Sequence, residues 1–278
     1  MKIHVMVNGL PGRMAMAVAK AVTKEENMQL VRYALTGEEV TDDYARIDED
    51  TEVKLIKPSE REMFDYLFQE AFHSMLEWKP LIMVDFTSPE SVNRNVKFYA
   101  DHGSSSVIGT TGGDMERLIA DISGSSVNAV VAPNMAVPIV IFQAMIKYAA
   151  DNFPGAFEGS HIMMSESHQS YKKDKSGVMR ALIPDLIKLG INTDESRIYS
   201  MRNPAEQLST GIPREFLDAH AWHTYDISGK GADLSFTHNI CGREIYAAGT
   251  IKAIEFIFRK SLTGQGKIYS MTDVLKDE

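Results

Sequence analysis

The 278-residue chain is poor in cysteine, tryptophan and positive charge. It holds one cysteine and two tryptophans, and its 29 basic side chains face 38 acidic ones, for a formal net charge of −9. Cys241 alone can close no intrachain disulfide and cannot by itself build a zinc site, and such sparing use of thiols fits a reducing compartment. The acidic balance disfavours a nucleic-acid partner, because neutralising a phosphate backbone needs a basic surface. An anionic ligand must therefore be met by local groups rather than by the overall field. Apolar runs such as residues 81–84 and 139–142 are far too short to span a bilayer, so no membrane partner is expected. The first residues carry neither a signal-peptide pattern nor an Arg/Ser-rich transit segment, which implies a cytoplasmic chain or the mature form of an imported one. Internal repeats and low-complexity tracts are also missing.

What is present is globular: 44% of residues are hydrophobic and 24% charged. At roughly 150 residues per domain, the length allows one large domain or two moderate ones. Residues 3–7 read as a short buried strand, followed by a turn at 8–12 and a helix over 14–22 with Met14, Val18, Ala21 and Val22 on one face. A second strand is expected over 30–35, an acidic surface excursion over 38–52 and a short strand over 54–57. Residues 60–78 have helical spacing, with Met63, Leu67, Phe68, Phe72 and Met75 on one side. Further strands at 81–85, 106–109 and 128–132 alternate with helices such as 91–102, which predicts a Rossmann-like, doubly wound parallel sheet. After Asn134 the pattern changes. A long helix over 135–152 precedes alternating strands at 219–226 and 233–239, joined by a turn at 228–231. This half reads as an α+β domain of mostly antiparallel sheet. A helix over 246–259 then returns to the first domain. The expected division is 1–133, 134–247 and 248–278.

The first strand ends in Gly9-Leu10-Pro11-Gly12-Arg13-Met14-Ala15. Gly9 permits a tight turn, Gly12 leaves the helix amides open, and Ala15 lets the helix lie close to the strand, as a pyrophosphate site at a helix N-terminus requires. The acidic ribose ligand expected at the end of the second strand is missing from Leu35-Thr36-Gly37, which leans toward NADPH, with NADH possible. Two other turns reach the same rim: one with Phe86 and Thr87, the other Gly109-Thr110-Thr111-Gly112 with its amides and hydroxyls.

The second half has one strongly polar stretch, residues 165–177. His168 can exchange a proton near neutral pH. Ser176 can cap the helix that follows, Gly177 exposes its first amides, and Lys172, Lys173 and Lys175 lie nearby. A small dianion is the ligand this combination suits. The remaining histidines look scattered. His220 and His223, three apart on a strand, fall on opposite faces and read as structural, so no metal site is expected.

Taken in order, these motifs resemble the dihydrodipicolinate reductase family, in its plant-type branch. The likeness rests on Gly12-Arg13-Met14, on Val84-Asp85-Phe86-Thr87-Ser88-Pro89-Glu90, on Gly109-Thr110-Thr111-Gly112 and on the hinge Ala132-Pro133-Asn134, which runs on into Met135. It also rests on Glu166-Ser167-His168-Gln169 through Lys172, Asp174, Ser176 and Gly177, and on His238-Asn239-Ile240-Cys241-Gly242-Arg243. The chain departs from the family pattern where Gln169 replaces a second histidine and Val178 replaces a threonine. The resemblance implies reduction of cyclic dihydrodipicolinate to tetrahydrodipicolinate, with hydride delivered to ring C4 and a proton to the carbanion-like centre that results. It implies cofactor contacts from residues 9–14, Thr36, Phe86, Thr87, 109–111 and 132–135. It further implies His168 as acid, Lys172 as charge stabiliser and carboxylate anchor, and Gln169, Ser176, Gly177 and Val178 around the substrate. Closure about hinges near Asn134 and Ala247, a homotetramer built through strands of the second domain, and a plastid stroma location for a mature imported chain are further implications. Two other readings of the residues stay open: another two-domain NAD(P)-dependent dehydrogenase, and an NAD(P)H-sensing protein without turnover.

Overall fold

A computed structural model describes residues 2–66, 68, 81–229, 231–264 and 266–277. The chain divides into two compact units, Met1–Val137 with Tyr246–Glu278, and Pro138–Ile245. These boundaries lie a few residues from the 134 and 248 expected from sequence. No helix among the described residues is long and apolar enough to cross a membrane.

The first unit is built on a six-stranded sheet, all of whose pairings are parallel. Its strands are β1 (Ile3–Asn8), β2 (Met28–Leu30), β6 (Leu81–Asp85), β7 (Ser106–Ile108), β8 (Ala129–Val131) and β13 (Ile268–Tyr269), in the order β13-β8-β7-β6-β1-β2. All five residues of β6 are buried, as expected of a parallel strand covered on both faces. Helices α1 (Arg13–Val22), α2 (Pro89–Asp101) and α3 (Met115–Ser123) supply the cover. Val92, Val96 and Tyr99 of α2 pack with Leu118 and Ile122 of α3 over Met6, Met83 and Ile108. On α1 the buried positions are Ala15, Val18, Ala19 and Val22, so the buried face lies slightly around from the one expected, with Met14 and Ala21 at its margin.

Three expectations need correction here. Residues 30–35 are not one strand. Val31 donates to the Val5 carbonyl, the chain then leaves the main sheet, and β3 (Tyr33–Leu35) pairs with β5 (Glu52–Ile56) instead. The 38–52 segment is not mere surface excursion, because it contributes β4 (Tyr44–Arg46), completing a three-stranded sheet with Ala45 and Ile47 buried. Of the helix expected over 60–78, residues 61–66 and 68 are helical. Leu67, Phe72 and Met75 lie outside the described residues, as does Lys230 of the expected 228–231 turn.

The second unit holds a mixed four-stranded sheet in the order β10-β9-β11-β12. β9 (His161–His168), β11 (His220–Gly229) and β12 (Ala232–Cys241) are antiparallel, while β10 (Ile198–Met201), unforeseen in the sequence, runs parallel to β9. Helices α4 (Val137–Asn152) and α5 (Gly177–Lys188) cover one face. There Ile146, Met179, Leu182 and Leu186 bury Ile162, Met164, Ile198 and Ile227. A short helix, α6 (Pro204–Ser209), follows β10, and α7 (Glu244–Ser261) leads back into the first unit.

Candidate active site

Two polar centres stand out, one in each unit. In the first unit, the C-terminal ends of β1 and β6 and the loop after β3 surround a cavity of about 360 Å³. Gly9 sits at φ +98°, and a Cβ there would collide with the Phe86 carbonyl oxygen, so only glycine fits the turn. A Cβ on Gly12 would meet the Gly9 carbonyl at 2.6 Å. The helix that begins at Arg13 has no acidic residue in its first turn, which leaves its amides available to an anion.

The surrounding loops are held by the buried Asp85. Its Oδ1 accepts from the Thr87 amide and hydroxyl at 3.1 and 2.7 Å and from the Thr110 hydroxyl at 2.6 Å. Its Oδ2 accepts from Tyr99 at 2.7 Å and Asn95 at 3.0 Å. Burial, together with the adjacent carboxylate, pushes the Tyr99 phenol well above its ordinary range. Asn8 completes the frame, donating to Tyr99 and accepting from the Leu35 amide.

Of the cofactor residues expected from sequence, Gly9, Leu10, Pro11, Gly12, Thr36, Phe86 and Thr87 line the cavity. The Thr36 hydroxyl is committed to the Leu10 carbonyl at 2.7 Å, so it shapes the loop. Gly109 lies against the Phe86 ring, where any side chain would clash. Arg13, Thr111 and Pro133 are exposed, and Met14 is half-buried at the start of α1. Ala132 and Met135 are buried, and the Asn134 Nδ2 is buried without a partner, an orphan donor that an amide-bearing ligand would satisfy. The glycine cradle, the open helix amides and this orphan donor fit a pyridine dinucleotide. Sequence reasoning missed Glu39, whose carboxylate folds back over Gly37 at the cavity wall.

In the second unit, strand alternation places Glu166 and His168 of β9 on one face with His223 of β11. Ser167 points the other way and bonds His220 at 2.8 Å. Glu166 is fully buried and anchors the loop after β9. Its Oε2 accepts from the Ser176 amide at 2.7 Å, while Oε1 accepts from Ser200 at 2.8 Å and pairs with Arg202 at 2.5 Å. Arg202 also donates to the carbonyls of Lys172 and Asp174, which pins the lysine loop to β10. Ser176 caps α5 by accepting from the Val178 amide, as its position predicts. Gly177 is exposed, with open space where a side chain would stand. Lys172 Nζ rests on Asp174 at 3.2 Å. Gln169 and Val178 are half-buried beside this turn.

His168 is buried, and its carbonyl accepts from Gln207 at 2.7 Å. Burial lowers its pKa to about 4, partly opposed by Glu166 and reinforced by Lys172, Arg202 and His220. The ring is therefore neutral at pH 7 in the free protein, and it needs nearby negative charge to become a proton donor. The histidines are not scattered as expected. His223 Nε2 lies 3.1 Å from His168 Nε2, and His238 on β12 stands directly opposite His223 with Nδ1 atoms 3.3 Å apart. Burial also holds His223 well below the ordinary imidazole range and lowers His238 to about 4. Glu166, His168 and His223 bring three ligand-type atoms within 4.8 Å of one another. The carboxylate oxygens are already engaged by an amide, a hydroxyl and a guanidinium, so we assign no metal there. Arg202 and Gln207 escaped sequence reasoning, which reads His223 as structural and gives His238 no role beyond its place in the resemblance. The pairing of these two histidines was within reach, because the register that sets Gly229 opposite Ala232 also sets 223 opposite 238.

Comparison with known proteins finds matches along nearly the whole chain. The model of the dihydrodipicolinate reductase N-terminus matches residues 3–135, and that of the dihydrodipicolinate reductase C-terminus matches 138–275. The chloroplastic probable 4-hydroxy-tetrahydrodipicolinate reductase 2 of Oryza sativa subsp. japonica is 37% identical, over 98% of this chain and 83% of the relative. The chloroplastic 4-hydroxy-tetrahydrodipicolinate reductase 1 of Arabidopsis thaliana is 36% identical, over 99% and 78%. Among solved structures, dipicolinate-bound dihydrodipicolinate reductase from Paenisporosarcina sp. TG-14 shares the fold with a TM-score of 0.67 at 20% identity, covering 98% of this chain and 99% of that one.

Proposed function

The chain belongs to the dihydrodipicolinate reductase family, and on that premise we propose how its residues divide the work. It is an NAD(P)H-dependent oxidoreductase that reduces dihydrodipicolinate, formed from 4-hydroxy-tetrahydrodipicolinate, in lysine and diaminopimelate biosynthesis. Held at the rim of the glycine turn, reduced NAD(P)H would supply the hydride. Gly9 and Gly12 would admit its pyrophosphate to the helix amides, and the Asp85 frame holds the Thr87 and Thr110 loops that would flank it.

His168 gives up the proton that completes the reduction. A resting imidazole with a pKa of about 4 becomes an acid when a dicarboxylate arrives, because the added negative charge favours imidazolium. Lys172 holds one carboxylate, and the exposed Gly177 amide at the start of α5 holds it or the other. Gln169 and Val178 shape the rest of the pocket. The observation that carries this reading is the Glu166–Arg202 pair, which fixes His168, Lys172 and the capped helix end within one short segment. The dipicolinate bound by the Paenisporosarcina enzyme is a ligand of the same class. His168→Ala should lower kcat by about 10²–10⁴ with a smaller change in KM, measured by NAD(P)H oxidation with freshly made substrate. Lys172→Ala should damage both parameters. Unchanged turnover in the first variant removes His168 from its role.

For the coenzyme, the cavity wall argues for NADH beside NADPH. Glu39 is the one charged residue among its described lining, and a carboxylate there suits a ribose hydroxyl better than a 2′-phosphate. This tempers the lean toward NADPH drawn from sequence. A homotetramer is consistent with the largely exposed strand β12. The chloroplastic relatives make the plastid stroma a location to test beside the cytoplasm.

A further inference from the structure

His168 does not face the substrate pocket alone. Its Nε2 meets His223 Nε2 at 3.1 Å, with the two rings tilted at 68°. Two imidazole nitrogens at that distance share one hydrogen, so when both rings are neutral one donates and the other accepts. His223 Nε2 also lies 2.9 Å from the Ser176 hydroxyl, the cap of the helix end proposed to hold a carboxylate, and its Nδ1 reaches His238. One ring thus touches the proposed acid, the anion cradle and a third imidazole.

We infer that His223 is a positioning residue that shares with His168 the single proton taken up when the dicarboxylate binds. The inference rests on the reading of His168 as the acid. The groups facing the pair are Glu166 on β9, Lys172 in the following loop, Arg202 after β10 and His238 on β12; Tyr225 stacks beside His238, and His220, on the opposite face of the sheet, acts on His168 only through its charge. Two cations and one carboxylate surround two neutral rings, so a proton enters only with the incoming dianion. In the protonated complex the pair carries three ring hydrogens, one of them bridging. On reduction, hydride forms one C–H bond, the ring double bond's electron pair forms the second with the proton from His168, and the pair returns to two hydrogens. The His223 contact fixes which nitrogen of His168 holds a hydrogen, and its bridge spreads the imidazolium charge.

The test measures proton uptake on binding pyridine-2,6-dicarboxylate, by calorimetry in buffers of different ionisation enthalpy near neutral pH. Wild-type protein should take up close to one proton, and His223→Asn less than about half of that. The alkaline limb of the kcat profile should move down by about one pH unit in His223→Asn, a change that mere loosening of the fold would not produce. Wild-type uptake and an unmoved limb in that variant, with His168→Asn inactive, overturn the shared proton and leave His168 as the acid. An active His168→Asn overturns both. If His223→Asn does not fold, ring ¹⁵N spectra of wild-type protein decide. Both Nε2 signals should move together on adding the dicarboxylate, and movement of His168 alone contradicts the inference.

Discussion

The two polar centres are built by opposite means. At the nucleotide rim the ligand-facing surface is mostly backbone, and the polar side chains behind it, Asp85, Thr87, Thr110 and Tyr99, satisfy one another. In the second unit, side chains from β9, β10, β11 and β12 converge, and two of them, His168 and His223, are buried and neutral. A backbone cradle reads the shape of a ligand found in many enzymes. A cluster of neutral bases held beside cations changes state when one particular charge arrives. On the proposed reading, the first centre supplies binding and the second chemistry.

The comparison breaks most readily at its anchors. Glu166→Ala leaves the Arg202 guanidinium, the Ser176 amide and the Ser200 hydroxyl without their acceptor, and should cost about 3–5 kcal/mol in urea unfolding, with KM raised and coenzyme affinity intact. Gly9→Ala should do the reverse. The strained φ and the collision with Phe86 should cost about 2–3 kcal/mol and weaken NADH binding by fluorescence titration, while dicarboxylate affinity holds.

A pH series sharpens the contrast. His168 and His238 hold pKa values of about 4 when folded, against an ordinary 6.5. Between those values the unfolded chain binds more protons, so stability is complete above pH 6.5 and is lost as pH falls toward 4. With His238 discounted for its partial exposure, the loss by about pH 5 should be on the order of 1–2 kcal/mol. His238→Asn should shrink it, and a flat stability curve across this range contradicts the buried neutral cluster. The smallest effect lies at the rim: Glu39→Ala should raise NADPH efficiency relative to NADH several-fold, by about 1 kcal/mol or less, in parallel kinetics with both coenzymes.

The same contrast explains what could be read from sequence. The glycine loop was legible because strand, turn and helix are contiguous and the turn tolerates no side chain at Gly9. The segment from Glu166 to Gly177 was legible for a similar reason, since its loop and its capped helix are one stretch of chain. Glu39 was hidden because its approach depends on how the segment after β3 folds back, and β3 itself left the main sheet after a register break at Val31 and Arg32 that hydrophobicity does not mark. Arg202 follows a strand too short to show alternation. His223 looked structural because three-residue spacing on a strand separates it from His220. Its actual partners are one strand away on either side, His168 on β9 and His238 on β12.

The most direct test is a crystal structure of the protein with reduced coenzyme and pyridine-2,6-dicarboxylate. The account predicts one carboxylate against Lys172 and the Gly177 amide, with the His168 ring facing the heterocycle. A dicarboxylate seated elsewhere, with His168 still turned toward β11 and Lys172 still paired to Asp174, would contradict it.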